Sequence, residues 1–233
     1  MARTERSHGT RAPLSKQRVV TTAVALAQRH GVVPTMRALA GELGAGAMTL
    51  YHYVPNKDVL LDEMIDVVFA EIEPPTTDVD WQTAMRRRAH STRAALNRHR
   101  WAVGLMESRT TPGPASLRLH NAVLGCLREA GFPIELTIQA YSVQDAYIYG
   151  FALQEKSIPF ETAAESAAVA EEQYREYAEL AGERQLGDLA DEFPYLAEVV
   201  AGHVATHGYD FAEAFEFGLD LILDALEQRR VTS

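Results

Sequence analysis

Along most of the chain apolar residues recur every three or four positions, and sustained period-two alternation is missing. Val19, Val20, Ala23, Leu26 and Ala27 share one face of a first helix that Ser15 can cap and Gly31 can end. Thr35 heads a short second helix with Met36, Leu39, Ala40 and Leu43 turned inward, and Gly44 suits the tight turn that follows. A third short helix runs to about Val54, where Pro55-Asn56 break it. Asn56 then caps a longer amphipathic helix over 57–73, carried by Val59, Leu60, Met64, Val67, Val68 and Ile72. Past Pro74-Pro75 the pattern predicts helices near 80–98, 102–108, 115–130, 133–155, 160–181 and 209–230, with a short one near 195–204. The expected architecture is all-α: a disordered arm over 1–14, a small helical domain over 15–73 and a larger one over 76–233.

Charge sharpens this division. The net charge of −10 taken alone argues against a nucleic-acid partner. Up to residue 57, however, eight Lys/Arg face two Asp/Glu, whereas the rest of the chain has fourteen against thirty. A head of +6 on a body of −16 is the asymmetry expected when only the head meets phosphates. The single cysteine, Cys126, excludes an internal disulfide and fits a reducing compartment. The N-terminal stretch lacks the apolar run of a secretory signal, and no segment has the roughly 20 apolar residues of a membrane helix. A soluble, cytoplasmic protein is expected.

The stretch "GAGAMTLYHYVPNKD", Gly44 to Asp58, passes from four small residues to an aromatic cluster and then a stop. Two short helices joined by a Gly-containing turn form a helix-turn-helix, whose second helix lies in the DNA major groove. At 100° per residue Leu50 and Val54 share an inner face, and Met48 and His52 point outward with Thr49 and Tyr51 beside them. Gly46 and Ala47 leave room for the helix N-terminus to approach a sugar-phosphate wall. On pattern alone Tyr51 and Tyr53 also fit packing aromatics, and Lys57 also fits a solvated charge.

The linked run Leu39-Ala40, Leu43-Gly44, Thr49-Leu50-Tyr51, Val54, Asn56-Lys57 and Leu60-Leu61 resembles the DNA-binding domain of the TetR family of bacterial repressors. The resemblance covers about residues 15–70. It implies a homodimer on a palindromic double-stranded operator. It also implies that Arg37 reaches a base edge or phosphate, that Thr35, Tyr51, Tyr53 and Lys57 hold the backbone, and that Ala47, Met48, Thr49 and His52 face the bases. Gly46, Ala47 and Met48 depart from the polar readers common in relatives, which shifts direct readout towards Arg37, His52 and thymine-methyl contacts.

Residues 76–233 are similar, more loosely, to the ligand-binding and dimerisation domain of the branch nearest the tetracycline repressors. The runs "LREAGFPIELTIQAYSVQDAYIYGFALQE" and "FAEAFEFGLDLILDAL" carry this likeness. Ala140, Ala146, Tyr147, Gly150 and Phe151 of the first are then expected at a four-helix dimer interface with Phe211, Phe215, Gly218, Leu219, Ile222 and Leu226 of the second. Trp101, Met106, His120, Tyr141, Gln144 and Asp145 mix aromatic walls with a few polar groups and are the candidate contacts for a small-molecule effector. Tetracycline-binding relatives chelate a magnesium–drug complex through a His after the "HR" run. Here His99-Arg100 leads into "WAVGLMES", so no metal and no cofactor is expected.

Catalysis has little support. His203 and His207 stand at i,i+4 without HExxH or a carboxylate partner, and GxSxG, GxGxxG and Walker patterns are missing. Cys126 lies on an apolar face between Val123 and Leu127, which fits an inert buried thiol. A purely architectural DNA binder would not need the large second domain. The expected function is a ligand-released repressor, with a ligand-independent or activating DNA-binding regulator, or an all-α enzyme, as the alternative.

Overall fold

The computed structural model describes residues 13–108, 111–157, 164–169, 193–199 and 208–232, together with residues 172, 191 and 202. All regular structure among them is helical. Most of the helix predicted over 160–181, residues 200, 201, 203 and 204 of the short one, residues 1–12 of the arm, and both His203 and His207 lie outside the described residues.

The chain divides into two compact units. The first comprises residues up to Pro74 together with Ala94–Asn121, and the second Pro75–Arg93 together with the residues from Ala122 on. Pro74-Pro75 is therefore one seam, but residues 94–121 group with the first unit. Contacts inside the first unit show why. The Asp66 carboxylate accepts the Ala115 and Ser116 amides at 3.2 and 2.9 Å, and Glu71 accepts from Arg98 at 2.9 Å and lies 2.8 Å from His99 Nε2.

Helix α1 (Lys16–His30) begins where Ser15 Oγ accepts the Arg18 amide and ends at Gly31. Helix α2 (Met36–Leu43) is capped by Thr35 Oγ1 on the Ala38 amide. Gly44, at φ 61°, takes the left-handed conformation and returns its N–H to the last carbonyls of α2. Helix α3 is regular only over Ala47–Leu50, shorter than the pattern predicts. Bonds from Tyr53 N and Val54 N to Leu50 O then close turns before Pro55. Helix α4 (Lys57–Ala70) starts at Asn56, whose Oδ1 accepts the Val59 amide at 2.8 Å. It ends three residues before the predicted Glu73 and buries Ile65 and Phe69 beside Leu60, Met64 and Val68. Helix α1 packs on α2 and α4, and α2 on α3, around fully buried Ala23, Leu39, Leu50, Val54 and Leu60.

Helix α5 (Trp81–Arg98) and helix α6 (Pro114–Glu129) each begin in one unit and finish in the other. Residues 102–108, predicted helical, form turns closing in a short 3-10 segment, Met106–Ser108. In the second unit helix α7 (Ile134–Ser157) packs against the last helix, and between them stands the short helix α8 (Pro194–Val199) in chain order. The last helix, α9 (Phe211–Thr232), is capped by Asp210 on the Ala212 and Glu213 amides. The core of this unit gathers Trp81, Met85, Val123, Leu127, Phe132, Ala140, Ile148, Phe151, Phe215, Leu219, Leu223 and Leu226. Trp81 tightens it twice, stacking edge-on to Phe132 at 4.8 Å and donating its indole N–H to Glu227 at 2.9 Å.

Cys126 is 3% exposed, and burial pushes its thiol above the ordinary range, with Glu129 and Asp80 adding to the shift. A neutral, covered thiol is a poor nucleophile. Iodoacetamide at pH 7 is expected to alkylate the native protein on the order of 100-fold more slowly than the protein in urea, a ratio set by thiolate fraction and access. Equal rates, read by intact mass, would contradict a buried inert cysteine.

Candidate nucleic-acid interface

Most of the residues expected to meet DNA are exposed on the helix-turn-helix. Leu50 and Val54 are completely buried, as the helical geometry requires. Met48 is 77% exposed, and Thr49, Tyr51 and His52 are exposed beside it. Arg37 is exposed on the first turn of α2 and Lys57 at the first residue of α4, whereas Tyr53 and Ala47 are half-buried. Thr35 is exposed, but its hydroxyl oxygen already accepts the Ala38 amide, leaving the hydroxyl hydrogen for a phosphate. An added Cβ at Gly46 would sit 3.6 Å from Thr49 Oγ1, an ordinary contact. The protein's own packing does not demand glycine there, so any demand comes from outside the chain.

The candidate ligand residues fall into two groups. Trp101, Met106 and His120 belong to the first unit. Trp101 and Met106 are buried, and half-buried His120 meets Phe69 edge-on at 5.8 Å. Tyr141, Gln144 and Asp145 belong to the second, all on α7. Tyr141 is half-buried against the core, Gln144 is fully buried, and Asp145 takes a buried ion pair from Arg88. A surface cavity of about 320 Å³ in the same unit, lined by Thr77, Val79, Asp80, Trp81, Cys126, Glu129, Ala130 and Arg230, contains none of these residues.

Sequence reasoning missed Arg88. It sits in the run "RRR", which invites a solvated reading, yet it falls on the buried stripe Trp81, Ala84, Met85, Ala89, Thr92 of α5. Helical spacing alone would have found it. Its neighbours resolve differently: Arg86 pairs with Glu216 and Asp220 of α9, and Arg93 forks onto Glu155 with its guanidinium 4.7 Å from the Phe215 ring. Sequence reasoning also missed Glu71. Desolvation opposes its charge, but hydrogen bonds from Arg98 and His99 outweigh that and hold its carboxyl below the usual carboxylate range.

Most of the residues expected at an interface from α7 and α9 pack within the protomer. Ala140, Phe151, Phe215, Leu219 and Leu226 face the protomer's own core, and Phe211 and Ile222 pack against it. Tyr147 and Gly218 meet each other across α7 and α9, with the Tyr147 hydroxyl donating to the Phe215 carbonyl at 2.8 Å. Only Ala146 and Gly150 are turned outward. The exposed apolar stripe runs instead through Val143, Ala146, Gly150 and Leu153 of α7 and Phe217, Leu221 and Ala225 of α9. Each helix has two apolar faces, and periodicity cannot say which one meets a neighbour in the same chain.

A profile described as "Bacterial regulatory proteins, tetR family" matches residues 19–64, and one described as "Tetracyclin repressor-like, C-terminal domain" matches residues 73–230. The chain belongs to the TetR family. It is 33% identical over 95% of its length to the HTH-type transcriptional repressor DrrR1 of Streptomyces coeruleorubidus, of which it covers 80%. It is 29% identical to the class C tetracycline repressor protein of Escherichia coli, with 94% of each chain aligned. Among solved structures, ActR of Streptomyces coelicolor in complex with actinorhodin superposes with a TM-score of 0.74 at 28% identity, over 92% of this chain and 96% of that one. The protein is thus an all-α TetR-family transcriptional regulator with a helix-turn-helix DNA-binding domain. TetR-family proteins regulate transcription and do not catalyse reactions. Among the described residues no three His, Cys, Asp or Glu side chains cluster to hold a metal ion, and no helix is long and apolar enough to cross a membrane.

Proposed function

We propose that this regulator is a cytoplasmic repressor that binds a palindromic operator as a homodimer and leaves it when a small molecule binds the second unit. The observation that carries the DNA half of this reading is the outward set Arg37, Met48, Thr49, Tyr51, His52 and Lys57 on a helix-turn-helix whose inner face is fully buried. The apolar stripe on α7 and α9 supports the homodimer, because a monomer gains nothing by presenting such a face to water. Two copies joined there would present paired recognition helices to half-sites about 34–36 Å apart. Release is supported by DrrR1, named a repressor, and by the ligand-bound ActR structure.

Selection of bound genomic fragments, followed by binding of the purified protein to the recovered site, tests the reading. One palindrome bound at nanomolar concentration is the expected result, and sequence-blind coating would overturn it. Residue roles separate in the same assay. Lys57→Ala should weaken binding to every sequence by a similar factor and flatten the log–log salt dependence by about one unit per subunit contact, because it removes a phosphate charge. Arg37→Ala should instead change which base is preferred, by about 1–3 kcal/mol for a lost bidentate guanine contact. A uniform loss of affinity from Arg37→Ala would reassign it to the backbone.

A further inference from the structure

We infer that Met48 is a site of reversible sulfoxidation, by which a peroxide or hypohalous oxidant weakens the hold of the reading head on DNA. This rests on the DNA-binding reading above and adds a means of regulating it that needs no ligand in the second unit. The described methionines differ sharply in access. Met48 is 77% exposed, whereas Met64 and Met85 are fully buried, Met106 is 6% exposed and Met36 is half-buried. A thioether reacts through a sulfur lone pair and needs no prior ionisation, so access sets the order of attack. The other sulfur that an oxidant could consume, Cys126, is covered, and its thiol is held neutral.

Position decides what the oxidation does. Gly46 has no side chain and Ala47 only a methyl, so the start of α3 presents no side-chain hydrogen-bonding group before Thr49. The Met48 thioether offers an apolar contact of the kind a thymine methyl takes. Oxidation moves one oxygen from the peroxide to sulfur: the O–O bond breaks, an S–O bond forms, sulfur loses two electrons and the peroxide leaves as water. A hypohalous acid delivers the same oxygen and leaves as halide and a proton. The new oxygen is polar and can only accept a hydrogen bond. Each base pair presents two acceptors for one donor in the major groove, and the groove walls are phosphate oxygens. The sulfoxide therefore meets mostly acceptors, and it loses its water without replacement as the helix docks. Methionine sulfoxide reductases restore the thioether, which makes the change reversible.

The test treats the full-length protein with hydrogen peroxide, locates added oxygen by peptide mass mapping and follows binding to the palindrome recovered as above. Met48 should gain its oxygen before every other described methionine, and bound operator should slow that gain at Met48 selectively. The oxidised protein should bind the operator at least about tenfold more weakly, the scale of a lost methyl contact and an unpaired acceptor in each subunit. Its Tm should stay unchanged, because the modified side chain lies outside the core, and reductase treatment should restore the affinity. Met48→Leu keeps an apolar side chain of similar size and cannot take the oxygen. It should bind within about threefold of the wild type and lose nothing on peroxide treatment. The inference is overturned if Met48 carries its oxygen and operator affinity is unchanged, or if Met36 or a buried methionine is oxidised first. It is also overturned if Met48→Leu loses affinity on treatment as the wild type does. An untreated protein that coats DNA without preference removes the repressor reading alone, and the oxidation-dependent loss is then read on that DNA. An operator bound tightly and unaffected by oxidation at Met48 leaves the repressor reading standing and removes this inference.

Discussion

Phe217→Glu combined with Leu221→Glu is expected to give a folded monomer whose operator affinity is lower by about 10²–10⁴-fold. Both side chains are outside the core of the second unit, at 67% and 57% exposure, so a charge on each is solvated in the isolated protomer. In a dimer joined along α7 and α9 the same charges would be buried opposite apolar groups, and opposite each other across a two-fold axis. Operator affinity depends on the dimer because the second half-site is bound at the high effective concentration that tethering supplies. A monomer loses that factor and keeps its phosphate and base contacts to one half-site. Sedimentation equilibrium, circular dichroism and operator titration on one preparation read mass, fold and affinity together. A double variant that remains dimeric, or a monomer of undiminished affinity, would show that the outward stripe is not the interface. Leu219→Glu cannot serve this purpose. Leu219 is completely buried in the protomer, and a charge there should unfold the second unit whether or not a dimer forms.

The second large effect concerns a single hydrogen atom. Gly218→Ala in α9 is expected to destabilise the protein by about 1–3 kcal/mol, although alanine favours helix by about 1 kcal/mol over glycine. A Cβ at this position would overlap the Tyr147 hydroxyl and its ring edge. Tyr147 has little freedom to withdraw. Its hydroxyl donates to the Phe215 carbonyl, its ring stacks on Phe215 with centroids 5.5 Å apart, and Phe151 lies on its other flank at 5.8 Å. Displacing the ring breaks the hydrogen bond and opens the aromatic contacts together. Gly125→Ala in α6 is the control, since nothing lies within 4 Å of its added Cβ, and it should be neutral or stabilising. Urea unfolding measures both. Tyr147→Leu in the Gly218→Ala background should recover part of the loss, a coupling that two independent sites would not show. If Gly218→Ala is as stable as the wild type, the close approach of α7 and α9 is wrong.

The first unit is legible in the sequence because its rules are local. Ser15, Thr35 and Asn56 cap the helices predicted for them, Gly31 and Gly44 end them, and apart from half-buried Met36 the residues of α1 to α3 expected inward are buried, with Val24 added to them. Caps and short-helix faces depend on residues within four positions of each other, so adjacent letters carry the information. The sequence pattern falls short where distant partners decide. Helix α4 stopped at Ala70, with its Glu71 cap engaged by Arg98 and His99, 27 and 28 residues away.

In the second unit composition and periodicity determined that α5, α6, α7 and α9 are helices, and roughly where each begins and ends. They did not determine which side of α7 and α9 is core. Leu219 and Leu221 are equally apolar letters two residues apart, about 200° around the helix, and only the packed neighbours make one buried and the other exposed. Arg88 makes the same point with a charge: its type says surface, its helical phase says interior, and Asp145 decides between them by supplying a counter-charge 57 residues away. Sequence by itself determined the helices, their caps and the outward face of the reading head, because those follow from short-range hydrogen bonding and a fixed helical period. Tertiary structure alone decided which apolar face meets its own chain and which residues crowd a glycine, because each depends on partners that the period of a single helix cannot name.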